Sequence, residues 1–240
     1  LRQVEKSVNY PILFQLHVRE DKDWVAYNIK SAMDHNYAGI CLTVDLDAYG
    51  RRERDLAKRY RTTSRQSATG FEYQMRFTWK DIDRIKSYCN LPIIIKGIAT
   101  KEDALLAVEH GIEVVYVSNH GGRQLDYGLG GLNVLPEISD AIGDNAKVIF
   151  DGGILRGTDV VKAIALGADC VGIGRLQGFA AAAGGAKAIV RMLELLELEI
   201  LTTLRLLGIN SIFDLNKSFL SKDHSFGNFN ALSAFPLIDE

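Results

Sequence analysis

Short apolar runs alternate along this chain with longer stretches in which apolar and polar positions are mixed. Six runs read as strands: Pro11 to Val18, Gly39 to Asp45, Leu91 to Ile98, Glu113 to His120, Lys147 to Gly152 and Cys170 to Arg175. Each is short and nearly continuous in apolar residues, the pattern of a strand covered on both faces. Between them apolar residues recur at helical spacing, as in Trp24, Tyr27, Ile29 and Met33, or in Ile82, Ile85 and Tyr88. Gly111 and Gly167 each close such a helix a few residues before a strand. After the last strand, Ile189, Leu193, Leu196, Ile200, Leu204 and Leu207 form one face of a long helix ended by Gly208, and this stripe is expected to pack against the fold. Strand and helix in alternation predict a parallel sheet with helical crossovers.

With 240 residues, 47% of them hydrophobic, the chain can bury a substantial core as one large α/β domain. The formal net charge is −2 and basic residues are scattered without an aromatic-basic stripe, so a nucleic-acid footprint is absent. Cys41, Cys89 and Cys170 have neither paired nor metal-ligand spacing. Cys41 and Cys170 fall inside apolar runs where buried thiols are common, which points to a reducing compartment. No apolar stretch has the length of a membrane span, no signal-peptide pattern opens the chain, and Leu237-Ile238-Asp239-Glu240 is no peroxisomal address. A cytoplasmic location is the expectation. The chain starts at Leu1, without an initiator methionine, in what reads as a linker into the first strand, so a longer parent protein is also expected.

The candidate chemistry gathers at strand ends. Ser118-Asn119-His120-Gly121-Gly122-Arg123-Gln124-Leu125-Asp126 follows the apolar run Val114 to Val117 and puts a base, a cation and a tight glycine turn on one loop. A histidine, with an unperturbed pKa of about 6.5, exchanges a proton near neutral pH, and an arginine grips a carboxylate with two parallel hydrogen bonds. An isolated His-x-x-Arg is as simply a strand cap with a surface ion pair, but the other strand ends add to it. Lys96 follows the apolar run Leu91 to Ile95. Asp151-Gly152-Gly153-Ile154-Leu155-Arg156-Gly157-Thr158-Asp159 and Gly172-Ile173-Gly174-Arg175 each join glycines to an arginine. Glycine turns that open onto a helix N-terminus let backbone N–H groups approach a phosphate.

The nine-residue loop, with these glycine runs, resembles the active-site signature of the FMN-dependent 2-hydroxy acid oxidases and dehydrogenases, the family of glycolate oxidase, lactate oxidase and mandelate dehydrogenase. The resemblance covers nearly the whole chain and implies a (β/α)8 TIM barrel, with this chain supplying about strands 3 to 8 and the closing helices. Residues 1–220 would then be the barrel, its amino-terminal part missing, and 221–240 a C-terminal tail. FMN is the implied cofactor, with Gln15, Thr43, Ser118 and Lys96 contacting it and Lys96 stabilising the anionic reduced ring. Asp151, Gly152, Gly153, Arg156, Gly174 and Arg175 would form its phosphate side. The implied reaction oxidises an L-2-hydroxy acid to a 2-oxo acid. In it His120 is the base, Asp45 its orienting carboxylate, Arg123 and Arg52 the carboxylate clamp, and His17 a substrate contact.

The electron acceptor would be oxygen, quinone or a protein, and a homo-oligomer, often a tetramer in such relatives, is expected. The polar segment Arg51 to Thr78 is expected to lead toward a mobile loop over the site, and nothing in it is apolar enough for the anchor that membrane-bound relatives carry. His35, His110 and His224 read as solvent-facing, and no metal cluster emerges. Two positions depart from the usual pattern. Leu155 stands where most members have arginine, with the arginine shifted to Arg156, and His17 stands where relatives usually have tyrosine. These departures motivate an alternative, a non-catalytic barrel remnant acting as a binding module. A phosphate-binding barrel isomerase or aldolase would explain the glycine runs and Lys96 but not the nine-residue loop.

Overall fold

The computed structural model describes residues 1–48, 50, 53–60 and 71–221. Six strands, β1 (Leu13–His17), β2 (Gly39–Thr43), β3 (Ile93–Ile98), β4 (Val114–Val117), β5 (Lys147–Asp151) and β6 (Cys170–Gly172), alternate with helices. The principal helices are α1 (Lys22–Asp34), α2 (Trp79–Lys86), α3 (Lys101–Glu109), α4 (Gly131–Ile142), α5 (Gly157–Ala165) and α6 (Arg175–Leu206). Helical turns at Arg2–Glu5, Glu53–Ala57 and Phe71–Gln74 supplement them, so the opening read as a linker contains a turn of helix.

All neighbouring strands are parallel and lie in chain order from β1 to β6. A doubly wound sheet reverses its strand order at a switch point, whereas strands laid down in sequence are the staves of a barrel. The sheet is therefore six staves of a (β/α)8 barrel. Its outer face carries Leu16, Ile40, Leu42, Ile93, Ile95, Val115, Val117, Val148 and Phe150, packed against Val25, Ile29, Ile82, Ile85, Ala104, Ala107, Leu135 and Ile138 of the helices. Each such large side chain removed from water contributes about 1.5–3 kcal/mol. The alternate positions, among them Gln15, His17, Thr43, Lys96, Tyr116 and Asp151, face inward. The register pairs His17 with Thr43, Thr43 with Lys96, and Lys96 with Tyr116.

Helix starts follow local chemistry. The Asp21 carboxylate accepts from the N–H groups of Asp23 and Trp24 at the start of α1, and Thr100 does the same for Asp103 in α3. Gly111 and Gly167 take left-handed conformations after α3 and α5, as expected of helix-ending glycines.

Several expectations need correction. The α1 face toward the sheet is Val25, Ile29 and Ala32, while Tyr27 is 73% exposed, because the helix phase puts Tyr27 on the outer side. In α6 the backbone leaves helical geometry at Gly184 and Gly185, so the helix is broken in two. Met192, Leu196 and Leu204 are its buried residues, and Leu193 and Leu207 of the predicted stripe are exposed. Cys170 is exposed rather than buried, since β6 pairs with β5 on one side and with no other described strand. β4 ends at Val117, so Ser118 to His120 lie in the turn beyond it.

Candidate active site

A cavity of about 470 Å3 opens at the carboxyl ends of the strands. Gln15 and His17 line it from β1, Lys96 from β3, and His120, Gly121 and Arg123 from the loop after β4. Asp151, Gly152, Gly153, Ile154 and Leu155 follow from β5, and Gly172, Gly174, Arg175, Leu176 and Phe179 close it around β6 and the start of α6. Residues scattered over the sequence thus meet because parallel strands deliver each carboxyl end to the same rim.

Lys96 anchors a polar network on the inner face. Its Nζ lies 2.8 Å from Asp151 Oδ2 and donates to Ser118 Oγ at 2.7 Å. The Ser118 hydroxyl donates to Asp151 Oδ1 at 2.5 Å and accepts from the His120 N–H at 3.1 Å. A buried ion pair holds only when its remaining hydrogen-bonding groups are also satisfied, and Ser118 serves that need for both charges.

His120 sits at the head of a left-handed turn, with φ of 57° followed by 65° at Gly121 and 71° at Gly122. The turn closes as Asn119 accepts from the Gly122 N–H through both its backbone and its side-chain oxygen. This swings the imidazole back over the rim, where its Nδ1 meets Asp45 Oδ1 at 3.2 Å. A carboxylate on Nδ1 keeps the proton there and leaves Nε2 as the basic atom. Gly97 makes room for that carboxylate: the ladder shifts register beside it, and a Cβ on it would sit 2.7 Å from Asp45 Cβ. Gln124 ties the two loops together by donating to the carbonyls of Asp45 and Ala48, both at 2.7 Å. Asp45 Oδ2 is buried with no hydrogen-bond partner among the described residues.

His17 shares the cavity with His120. Burial, then the neighbouring His120, pulls its pKa below the ordinary histidine value, so it is a neutral donor or acceptor at pH 7. Gln15 donates through Nε2 to the buried Thr43 hydroxyl at 2.8 Å, which fixes the amide at the cavity edge.

The two glycine runs differ in what they offer an anion. At the start of α5 the chain's own carboxylates already take the free N–H groups: Asp159 accepts from Leu155 and Arg156, and Glu199 accepts from Gly157 at 2.6 Å. Arg156 leans the same way, with Nε donating to Glu199 Oε1 at 2.7 Å, outside the cavity lining. At the start of α6 the cap residue Gly174 brings no side-chain bond, and Arg175 lines the cavity while donating to the Gly121 carbonyl at 3.2 Å. Beyond the adjoining residues of the chain, no atom of the described residues comes within 4 Å of where a Cβ would project from Gly153 or Gly174.

Of the residues singled out from the sequence, Gln15, His17, Lys96, His120, Arg123, Asp151, Gly152, Gly153, Gly174 and Arg175 come together around the cavity. Thr43 and Ser118 stand one bond behind it, holding Gln15 and Lys96, and Asp45 stands behind His120. Arg156 is the correction on the phosphate side, drawn off by Glu199, a helix residue with no sequence signal linking it to that loop. Arg52, the segment Arg61 to Ser67 and His224 lie outside the described residues. His110 is not simply solvent-facing: it stacks on Trp79 with ring centroids 5.1 Å apart, and its Nδ1 lies 2.6 Å from Asp83 Oδ1. His35 is half-buried and bonds back to the Ser31 carbonyl. Sequence reasoning missed Tyr116, Gln124 and Glu199; only Gln124 lay inside a motif already marked. No group of three or more His, Cys, Asp or Glu among the described residues is placed to hold a metal, and no described helix is long and apolar enough to cross a membrane.

The profile of the FMN-dependent dehydrogenases matches residues 1–222. The chain belongs to this family. Among its relatives, a peroxisomal (S)-2-hydroxyacid oxidase of Arabidopsis thaliana is 35% identical over 92% of this chain and 66% of its own length. An L-lactate oxidase of a Nostoc species is 36% identical over 86% of this chain and 63% of its own. The cytochrome-type L-lactate dehydrogenase of Wickerhamomyces anomalus is 37% identical over 86% of this chain, which spans only 39% of that protein. Among solved structures, a mandelate oxidase superposes with a TM-score of 0.80 at 35% identity, covering 88% of this chain and 64% of that one. The chain thus spans less than two thirds of the length of these family members.

Proposed function

We propose that the protein of which this chain forms the larger part of the barrel oxidises an L-2-hydroxy acid to the 2-oxo acid with FMN. One observation carries the reading. An imidazole backed by a carboxylate, two guanidinium groups and a lysine ammonium border one cavity, within the range of about 300–1,000 Å3 that encloses a small ligand or cofactor. The residues also fit the cofactor. Gln15 offers an amide held by Thr43, Lys96 a cation, and Gly153, Gly174 and Arg175 an unobstructed backbone and charge at the N-terminus of α6.

FMN, when bound, would accept the two electrons and one of the two hydrogens that the substrate loses, the other leaving as the proton taken by His120. Arg123 and Arg52 hold the substrate carboxylate, and His17 contacts the substrate as a neutral ring. His120 accepts the substrate proton at Nε2, and Asp45 stabilises the imidazolium that forms. Lys96 holds positive charge at the cavity wall, kept in place by Asp151 and Ser118. The phosphate belongs on the α6 side, away from Arg156. The acceptor that completes turnover is oxygen, quinone or a protein, the compartment is the cytoplasm, and the assembly is a homo-oligomer. The expected C-terminal tail, residues 221–240, lies outside the described residues except for Ser221.

The test is anaerobic mixing of the FMN-loaded full-length protein with lactate, glycolate and mandelate while flavin absorbance is followed. Bleaching is expected with at least one. His120→Asn, which tolerates the left-handed backbone, should slow reduction by about 10²–10⁴-fold with FMN still bound. A protein that stays colourless after incubation with FMN would instead support the non-catalytic remnant, for which the capture of Arg156 by Glu199 is the one structural argument.

A further inference from the structure

Tyr116 faces the barrel interior from β4, directly across the ladder from Lys96 on β3. The Lys96 ammonium lies over its ring, 4.6 Å from the centroid. The ring crosses the inner face of β5 and puts its hydroxyl over Gly172 of β6, beside Asp151; any Cβ at Gly172 would collide with that hydroxyl. Tyr116 is thus accommodated only because β6 carries a glycine at this level. Burial, then the Asp151 charge, pushes its phenol far above the ordinary tyrosine value, so it stays neutral.

We propose that Tyr116 is a positioning residue for Lys96, its aromatic face holding the ammonium charged and directed at the cavity from within the barrel. This deepens the flavin reading and rests on it for its purpose, but not for its test. A cation above an aromatic face is attracted by the ring quadrupole, and the attraction grows as water is excluded. Asp151 and Ser118 fix the ammonium laterally, and the ring meets it from a third direction. Together they surround the ammonium of a largely buried side chain on three sides.

The experiment is titration of Lys96 Nζ by NMR on the full chain without flavin, the resonance being assigned by its loss in Lys96→Arg. Tyr116→Leu removes the aromatic face and should lower the proton affinity of Lys96 by about three- to tenfold. Tyr116→Phe keeps the face and should leave it within about twofold. If Tyr116→Leu does not fold, phenylalanine and its progressively fluorinated forms at position 116 grade the quadrupole at nearly constant shape, and proton affinity should fall stepwise along the series. With FMN bound, an ammonium no longer held toward the cavity should shift the oxidised-to-reduced equilibrium of Tyr116→Leu toward oxidised flavin by up to about tenfold, ~30 mV for two electrons. An unchanged Lys96 titration in Tyr116→Leu or along the fluorinated series overturns the proposal, as does Tyr116→Phe falling as far as Tyr116→Leu. Because the titration needs no flavin, failure to bind FMN refutes the function proposed above without touching this result.

Discussion

Replacing Asp45 by asparagine tests the arrangement behind the base most directly, because it removes one charge and almost no volume. At 3.2 Å from His120 Nδ1, a full carboxylate charge attracts an imidazolium by about 5 kcal/mol at an effective dielectric of about 20. The imidazole side chain is 25% exposed, and the asparagine carbonyl can still accept the Nδ1–H bond, so most of this is recovered by solvent and the amide. The net loss is that of a charge-assisted hydrogen bond, about 2–3 kcal/mol. Lost from the state in which His120 carries the substrate proton, it corresponds to about 30- to 150-fold slower flavin reduction. If the amide turns its NH2 toward Nδ1, the proton moves to Nε2 and the loss is larger. The assay is single-turnover stopped-flow reduction by the best substrate, alongside FMN titration to show that the site is intact. A variant within about threefold of the parent would mean that Asp45 neither orients His120 nor stabilises its charge.

Three further outcomes follow from the geometry. Arg175→Met should weaken FMN binding by about 10- to 150-fold while riboflavin binding changes little, whereas Arg156→Ala should leave FMN affinity within about twofold; fluorescence-quenching titrations with both flavins read this out. Gly157→Ala puts a Cβ 2.6 Å from the Ile200 amide nitrogen and 2.7 Å from the Leu196 carbonyl, both backbone atoms of α6, so urea unfolding should show about 1–3 kcal/mol of destabilisation. For His17 the folded-state pKa lies below the unfolded value, so the unfolded chain binds the extra proton and stability falls as pH drops through about 6.5 toward the folded pKa. His17→Gln should therefore flatten the decline in urea midpoint between pH 7.5 and 5, and identical slopes would contradict the burial argument.

The fold was legible because the strands are short, nearly continuous apolar runs and the segments between them keep a helical period, so six βα units stand out without any long-range information. The cavity residues were legible for a related reason. Lys96, His120, Asp151 and Arg175 all sit where an apolar run gives way to polar or glycine residues, which in a parallel barrel is the functional rim. What sequence could not supply was the partner of each polar group. Arg156 and Arg175 look alike in the chain, yet Glu199, a full helix away in sequence, claims the first and leaves the second at the cavity. Tyr116 read as one more apolar strand residue, because nothing local reveals that its ring lies beneath Lys96 and needs Gly172 opposite. The same limit put Tyr27, Leu193 and Cys170 on the wrong side: periodicity marks which residues are apolar, but the neighbouring elements decide which face is covered.

The left-handed turn at residues 120–122 sets stability and chemistry against each other at one position. Two of its three residues are glycines that adopt the conformation freely, while His120 carries a Cβ that the geometry disfavours by about 1–2 kcal/mol. Glycine or asparagine at 120 would relieve that strain and remove the base in the same stroke. A library of this chain screened only for heat tolerance should accordingly enrich inactive sequences at position 120, so a selection that keeps the protein working has to score turnover alongside folding.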